Sequence, residues 1–284
     1  MGVEREELLR LEEKARDLRK LIIDTVVWAG SGHVGGALSS IDIITLLYYK
    51  YLNIDPTRPD WEDRDRFILS KGHIGVGFAP VLADLGFIDH KLLKTYNHTG
   101  SELGMHLDRA KVPGLDASTG SLGHGLPIAL GLGLSARLKG QSFKTYCLMG
   151  DGECDEGSIW EAAMAIAHYK LTSVIPIVDR NRCMIDGRTN DVMILEPFCD
   201  KWRAFGFNVI EVDGHDMPAL CEALDTAAEA QDKPIAIIAN TKKGCGVEFM
   251  ADNYRYHYAS FDAEKAEACK IDIDKYHDAR AAAL

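Results

Sequence analysis

The chain has 284 residues, 46% hydrophobic and 26% charged, a balance that excludes intrinsic disorder and leaves material for a large core. Asp and Glu outnumber Lys and Arg by 43 to 32, a formal net charge of −11, which argues against nucleic acid or an anionic membrane as a partner. The seven cysteines, Cys147, Cys154, Cys183, Cys199, Cys221, Cys245 and Cys269, include no Cys-x-x-Cys pair, so neither a disulfide framework nor a zinc site is indicated and a reducing, cytoplasmic setting is expected.

Met1–Lys20 is charged throughout and has no apolar core of the kind a signal peptide needs. Glu4 to Trp28 reads as an amphipathic helix, with Leu8, Leu11, Ala15, Leu18 and Ile22 three or four residues apart. It runs into the turn Gly30-Ser31-Gly32-His33. Ser39 or Ser40 is expected to cap a second helix through Ile43, Leu46 and Leu47. A short strand, Arg66–Leu69, ends at Ser70-Lys71-Gly72-His73. A Gly-rich helix follows through Ala79 and Leu82, and Asp89 starts a short helix to Tyr96. Asn97–Thr119 is a long loop of weak periodicity, a feature that in a compact domain is usually functional.

A regular series comes next: helix Leu126–Leu138, strand Thr145–Met149, helix Ser158–Tyr169 and strand Ser173–Val178. After a second long loop, a helix near Glu196–Phe205 precedes strand Asn208–Val212. Asp216 caps helix Ala219–Ala230, and Pro234 opens strand Ile235–Asn240. Leu126–Ala136, the longest apolar-looking stretch, falls short of the roughly 20 residues a membrane span needs. The central strands are continuous apolar runs, as expected of strands covered on both faces. Alternation of strand and helix predicts an α/β fold: a doubly wound, mostly parallel sheet with helices on both faces. One domain over residues 1–284, with helical N-terminal and C-terminal extensions, is the simplest organisation.

In an open parallel sheet, ligands bind beyond the carboxyl ends of the strands. One predicted strand ends in Gly150-Asp151-Gly152-Glu153 and the next in Asp179-Arg180-Asn181-Arg182-Cys183, so both loops belong on one edge. Asp151 and Asn181 then offer a carboxylate and an amide oxygen to one cation, while Gly150 and Gly152 allow close approach to the backbone. Magnesium takes hard oxygen ligands, typically one or two carboxylates plus phosphate oxygens. Gly-Asp-Gly alone is a common turn. Its pairing with Asn181, across 30 residues that read helix then strand, is far more specific.

This pair resembles the signature of thiamine diphosphate enzymes, and the match continues through Glu156-Gly157 and Trp160-Glu161-Ala162. Four histidine loops narrow it to the transketolase family. Ser31-Gly32-His33-Val34-Gly35-Gly36 resembles that family's Ser-Gly-His-Pro-Gly, and Ser70-Lys71-Gly72-His73 its Ser-x-Gly-His. Gly104-Met105-His106 stands where the family has Gly-His-Pro or a variant. Gly120-Ser121-Leu122-Gly123-His124-Gly125 resembles Gly-Pro-Leu-Gly-Gln-Gly. Asp213-Gly214-His215-Asp216 and Lys242-Lys243-Gly244-Cys245-Gly246 follow in the family's order, so the resemblance runs from about Ser31 to Gly246. Val34 replaces the usual Pro and His124 the usual Gln.

The resemblance implies thiamine diphosphate as cofactor, with magnesium or another divalent cation such as calcium or manganese. Asp151, Asn181 and the Cys183 carbonyl are the implied metal ligands. His73, His257, Gly120, Ser121, Leu122, Asp151, Gly152, Glu153 and Asn181 are the implied cofactor contacts. His33, His73, His106 and His257 are the implied catalytic histidines, and Glu156 and Glu161 the implied acids at a subunit interface. His90, His98 and His168 read as ordinary surface or capping residues, and His215 as either a site residue or a turn into the next helix. A transketolase also needs a pyrimidine-binding module and a C-terminal domain, for which this chain leaves no room. The expectation is therefore one subunit of a split transketolase, working on sugar phosphates in an α2β2 complex with a C-terminal transketolase subunit. Other thiamine enzymes (deoxyxylulose-phosphate synthase-like or 2-oxoacid dehydrogenase-like), a catabolic transketolase with an unusual donor, and a non-catalytic scaffold subunit stay open at this point.

Overall fold

A computed structural model describes residues 3–284. The elements are α1 (Arg5–Ala29), α2 (Val34–Leu46), β1 (Arg66–Leu69), α3 (Gly75–Asp84), α4 (Gly125–Lys139), β2 (Thr145–Gly150), α5 (Gly157–His168), β3 (Val174–Arg180), α6 (Thr189–Val192), α7 (Phe198–Ala204), β4 (Asn208–Asp213), α8 (Met217–Ala228), β5 (Ile235–Asn240) and α9 (Ala263–Ala283). The five strands form one sheet, all parallel, in the order β1-β2-β3-β5-β4.

Successive side chains of a strand point to opposite faces, and the core divides accordingly. Phe67, Leu69, Tyr146, Leu148, Ile175, Ile177 and Ile237 pack with α1, α2, α3, α8 and α9. Ile68, Cys147, Met149, Val174, Val178, Ala236 and Ile238 pack with α4, α5 and α7. The expected doubly wound α/β sheet, covered on both sides, is what forms. Among the described residues no helix is long and apolar enough to cross a membrane.

The α1 face read from spacing, Leu8, Leu11, Ala15, Leu18 and Ile22, is buried throughout, and Gly30 closes the helix with φ +81°, the left-handed conformation that Gly adopts without penalty. Asp216 caps α8 by accepting from the Ala219 N–H at 3.0 Å. Asp89 caps a 3₁₀ turn, His90–Thr95, in place of the short helix expected there.

Two expectations fail. Ser39 and Ser40 do not cap α2; they lie in its second turn, and the helix starts at Val34 with no side-chain cap. Every residue of α2 is buried, so packing supplies the stability that the cap does not. β3 runs two residues past its expected end, which places Asp179 and Arg180 in the ladder, opposite Ala239 and Asn240 of β5. The second long loop also contains the one-turn helix α6, which the sequence pattern did not suggest.

Candidate active site

The strand ends line up as the functional loops require. Gly150 pairs with Asp179 and Arg180 with Asn240, so the segments after β1, β2, β3 and β5 share the carboxyl edge. The Asp151 N–H donates to the Asp179 carbonyl at 3.3 Å. The Asp151 carboxylate accepts from the Gly152 N–H at 2.9 Å and from the Arg182 N–H at 2.6 Å. That second bond brings the carboxylate to the residue next to Asn181, so the two predicted loops do meet. Asn181 accepts from the Cys183 N–H at 3.1 Å and turns its amide nitrogen to Asp179 at 3.1 Å and Ser39 at 3.3 Å.

Asp151 is 6% exposed and has no ion-pair partner among the described residues. Burial, and then the charge of Asp179, push its carboxyl up to about 6. Asp179 has the opposite environment: Lys71, Ser39, Ser40 and Thr241 all donate to it. Burial opposes its charge, but the Lys71 ammonium prevails and holds it down at about 2. Here Ser39 and Ser40 find their part: they reach Asp179 from inside α2. Neither this ion pair nor Lys243 was singled out from the sequence; the available signal was charge at the end of apolar strands and inside the Gly-rich turns.

The histidines converge from separate loops. His33, at the entry to α2, lies 5.0 Å from His73 and 5.2 Å from His257 between ring centroids, and His73 stacks on His257 at 5.4 Å. Burial pushes all three down: His33 to about 4 with help from His106 and Lys243, His73 to about 2 with Lys71, and His257 to about 3 with Lys243. All three imidazoles are therefore neutral near pH 7. The His33 Nδ1 is buried with no hydrogen-bond partner. His106 packs on Gly120 (φ +148°), where a Cβ would sit 2.6 Å from the imidazole Cδ2. His257 Nδ1 lies 3.2 Å from the Lys243 ammonium, and burial followed by Lys71 pushes that lysine down to about 8.

Glu153, an implied cofactor contact, has its side chain held within the protein. Its buried carboxylate accepts from Ser70, from the Gly123 N–H at 2.9 Å and from the Gly150 N–H at 3.1 Å. The side chain is spent on the protein, and it ties the β1 loop and the Gly120–Gly125 loop to the end of β2. Ser121 and Leu122 lie on that tied loop, Ser121 exposed and Leu122 half-buried. Glu156 and Glu161 are exposed on and beside α5. His215 stands outside the histidine group, bonded through Nδ1 to Asp42 at 2.8 Å and accepting from the Lys242 N–H at 2.9 Å. His90, His98 and His168 are exposed. A cavity of about 1160 Å³ flanks the edge at Asn181, between Arg182, His215, Lys242 and Arg280, and none of His33, His73, His106 and His257 lines it.

Residues 11–277 match the family described as the transketolase thiamine diphosphate binding domain. The chain belongs to the transketolase family. It is 39% identical over 270 residues to a 6-deoxy-6-sulfo-D-fructose transketolase subunit of Clostridium sp. (strain MSTE9), covering 95% of this chain and 98% of that one. It is also 39% identical over 265 residues to one subunit of an apulose-4-phosphate transketolase of Phocaeicola vulgatus, covering 93% and 94%. The crystal structure of the transketolase of Campylobacter jejuni superposes with a TM-score of 0.85 at 29% identity, over 99% of this chain but 48% of that one. The chain thus matches these transketolase subunits in length and spans about half of the single-chain enzyme.

The carboxyl edge suits a divalent cation bound to a diphosphate. It presents one buried carboxylate without a counter-charge, an amide oxygen, and the Cys183 carbonyl, which accepts no hydrogen bond among the described residues. Three hard oxygens of this kind match magnesium rather than a soft metal.

Proposed function

We propose that this chain is the diphosphate- and magnesium-binding subunit of a two-subunit transketolase, which moves a two-carbon ketol unit from a ketose phosphate to an aldose phosphate. One observation carries the reading: the unpaired Asp151 carboxylate beside Asn181 lies on the same sheet edge as three clustered, neutral histidines. In this reading Asp151, Asn181 and the Cys183 carbonyl ligate the cation. His73, His257 and the backbone of Gly120, Ser121, Leu122 and Gly152 line the cofactor. Thiamine diphosphate, when bound, supplies the carbanion chemistry that breaks and re-forms a bond beside a carbonyl.

The protein's share is positioning and proton handling. A neutral imidazole donates through one nitrogen and accepts through the other. His33, His73, His106 and His257 are thus suited to hold substrate hydroxyls and to exchange protons with them. His33 Nδ1 is a free group for that purpose. The aromatic ring of Tyr258 packs against His33 at 4.7 Å between centroids and fixes its plane.

A partner completes the enzyme: a C-terminal transketolase subunit with the pyrimidine-binding module and the C-terminal domain, in an α2β2 complex in the cytoplasm. The exposed acids Glu156 and Glu161 belong at that interface. Two relatives are named for sugars that carry a phosphate or a sulfonate, so a ketose with an anionic end is the donor class to test. Ketol transfer is measured with magnesium and thiamine diphosphate for the purified chain, alone and with its partner. Transfer by the mixture and none by either subunit is expected; robust transfer by the chain alone would refute the split enzyme.

A further inference from the structure

We propose that Tyr258 and Ser31 form a recognition pair, at the outer end of the histidine cluster, for the part of the sugar that is not transferred. The inference rests on the transketolase reading and deepens it by naming side chains that select the sugar.

Two loops are stapled at this point. The Gly32 N–H donates to the Ala259 carbonyl at 2.9 Å, and the Ala259 N–H to the Gly32 carbonyl at 3.0 Å, a single antiparallel bridge. Residues that flank such a bridge face each other across it, so Tyr258 stands opposite His33. Its ring meets the imidazole edge to face, with 4.7 Å between centroids and 70° between planes. The phenol reaches back along the first loop to Ser31, with 2.6 Å between the two hydroxyl oxygens. The staple thus holds the pair at a fixed place beside His33.

The pair is only partly used. Two hydroxyls carry two hydrogens, and the bond between them takes one. The other hydrogen has no acceptor among the described residues. The ring is open as well: Tyr258 is 40% exposed, while His33, His73 and His257 are half-buried. Such a tyrosine offers a sugar both of its chemistries. Carbon-bound hydrogens pack on the ring face, and a sugar hydroxyl oxygen accepts from the uncommitted O–H.

Exposure sets the direction. The three imidazoles contact one another, and the His33 Nδ1 is buried. Tyr258 is the ring of this group that reaches solvent. The imidazoles serve the carbonyl end of the sugar, where bonds break and form. The remaining carbons, with their hydroxyls, then run outward past Tyr258.

The test uses the chain assembled with its partner subunit, loaded with magnesium and thiamine diphosphate. Two acceptors are compared at saturating donor: glycolaldehyde, which ends at the histidines, and the longer aldose phosphate that the unaltered complex uses best. The readout is the ratio of kcat/KM, long acceptor over short. A site that bonds a substrate hydroxyl loses discrimination when the partner is removed. Tyr258→Phe keeps the ring and should lower the ratio about fivefold. Tyr258→Ala should lower it at least tenfold, and Ser31→Ala less than Tyr258→Phe. Because one pair is involved, the double variant Ser31→Ala with Tyr258→Phe should fall no further than Tyr258→Phe. Equal losses on both acceptors would overturn the proposal, since that is the effect of merely supporting His33. An unchanged ratio in Tyr258→Phe and Tyr258→Ala would overturn it too. If the unaltered complex transfers to no aldehyde, the transketolase reading itself fails.

Discussion

Asp151 and Asp179 are joined backbone to backbone, N–H to carbonyl at 3.3 Å, yet their carboxylates sit in opposite environments. Asp179 collects an ammonium and three hydroxyls. Asp151 collects two backbone N–H groups and no cation. Adjacent carboxylates pushed apart in this way suit different tasks: Asp179 ties the loops together, and Asp151 is the one the proposed function assigns to a ligand.

The buried, uncompensated Asp151 sets a pH-dependent cost. Its carboxyl binds a proton more tightly in the folded chain, about 6 against an ordinary 3.8. The stability from its neutral form is complete below about pH 3.8 and is lost as pH rises through 6. Above that, the cofactor-free chain carries a cost on the order of 2–3 kcal/mol. Asp151→Asn should therefore raise the melting temperature of the cofactor-free protein by about 5 °C at pH 7.5, with the difference vanishing near pH 4, while removing stabilisation by magnesium and thiamine diphosphate. A lower melting temperature at pH 7.5 would show that the carboxylate is satisfied by the protein alone.

The histidine cluster should be silent to pH where free histidine titrates. His33 and His257 are bases held at about 4 and about 3, so their contribution to stability is fully present above pH 6.5 and is lost as pH falls from 6.5 through about 4 and about 3 respectively. In the cofactor-free chain, ring resonances of His33 and His257, followed by NMR from pH 5 to 8, should show no midpoint. A midpoint near 6.5 for either would mean that the ring is solvated, and the proposed proton handling would lose its basis.

Glu153 holds three segments with one carboxylate. Glu153→Ala would orphan the Ser70 hydroxyl and the N–H groups of Gly123 and Gly150, all in a buried place. The expected loss is about 3 kcal/mol, read as a lower urea midpoint, with weaker binding of thiamine diphosphate because two cofactor loops lose their anchor. Glu153→Gln should recover part of both. A Glu153→Ala protein as stable as its parent would contradict the tie.

The sheet is largely legible in the chain. β1 and β5 match their expected bounds because apolar runs there are closed by turn residues. β3 reads short because Asp179 and Arg180 break the apolar run, although the ladder continues through them; ladder pairing is indifferent to side-chain charge when the charge is matched elsewhere. The start of α2 is misplaced for a related reason. Val34-Gly35-Gly36 carries no capping signal, and what places it is burial against α1 and α3. The loops bearing Asp151, Asn181, His33 and His73 are those the sequence motifs mark; His257 lies beyond the stretch that the motifs cover, and the structure brings its ring against His33 and His73. Lys71 with Asp179, 108 residues apart, and Glu153 with three distant donors are not legible, since such partners are set by strand order.

The central claim is that the edge between β2 and β3 binds a divalent cation with the cofactor. The direct measurement is a crystal structure of the chain with its partner subunit, grown with thiamine diphosphate and manganese and read by anomalous scattering. The account predicts one manganese ion coordinated by the Asp151 carboxylate, the Asn181 side-chain oxygen and the Cys183 carbonyl. A diphosphate bound without that ion, or an ion held by other residues, would contradict it.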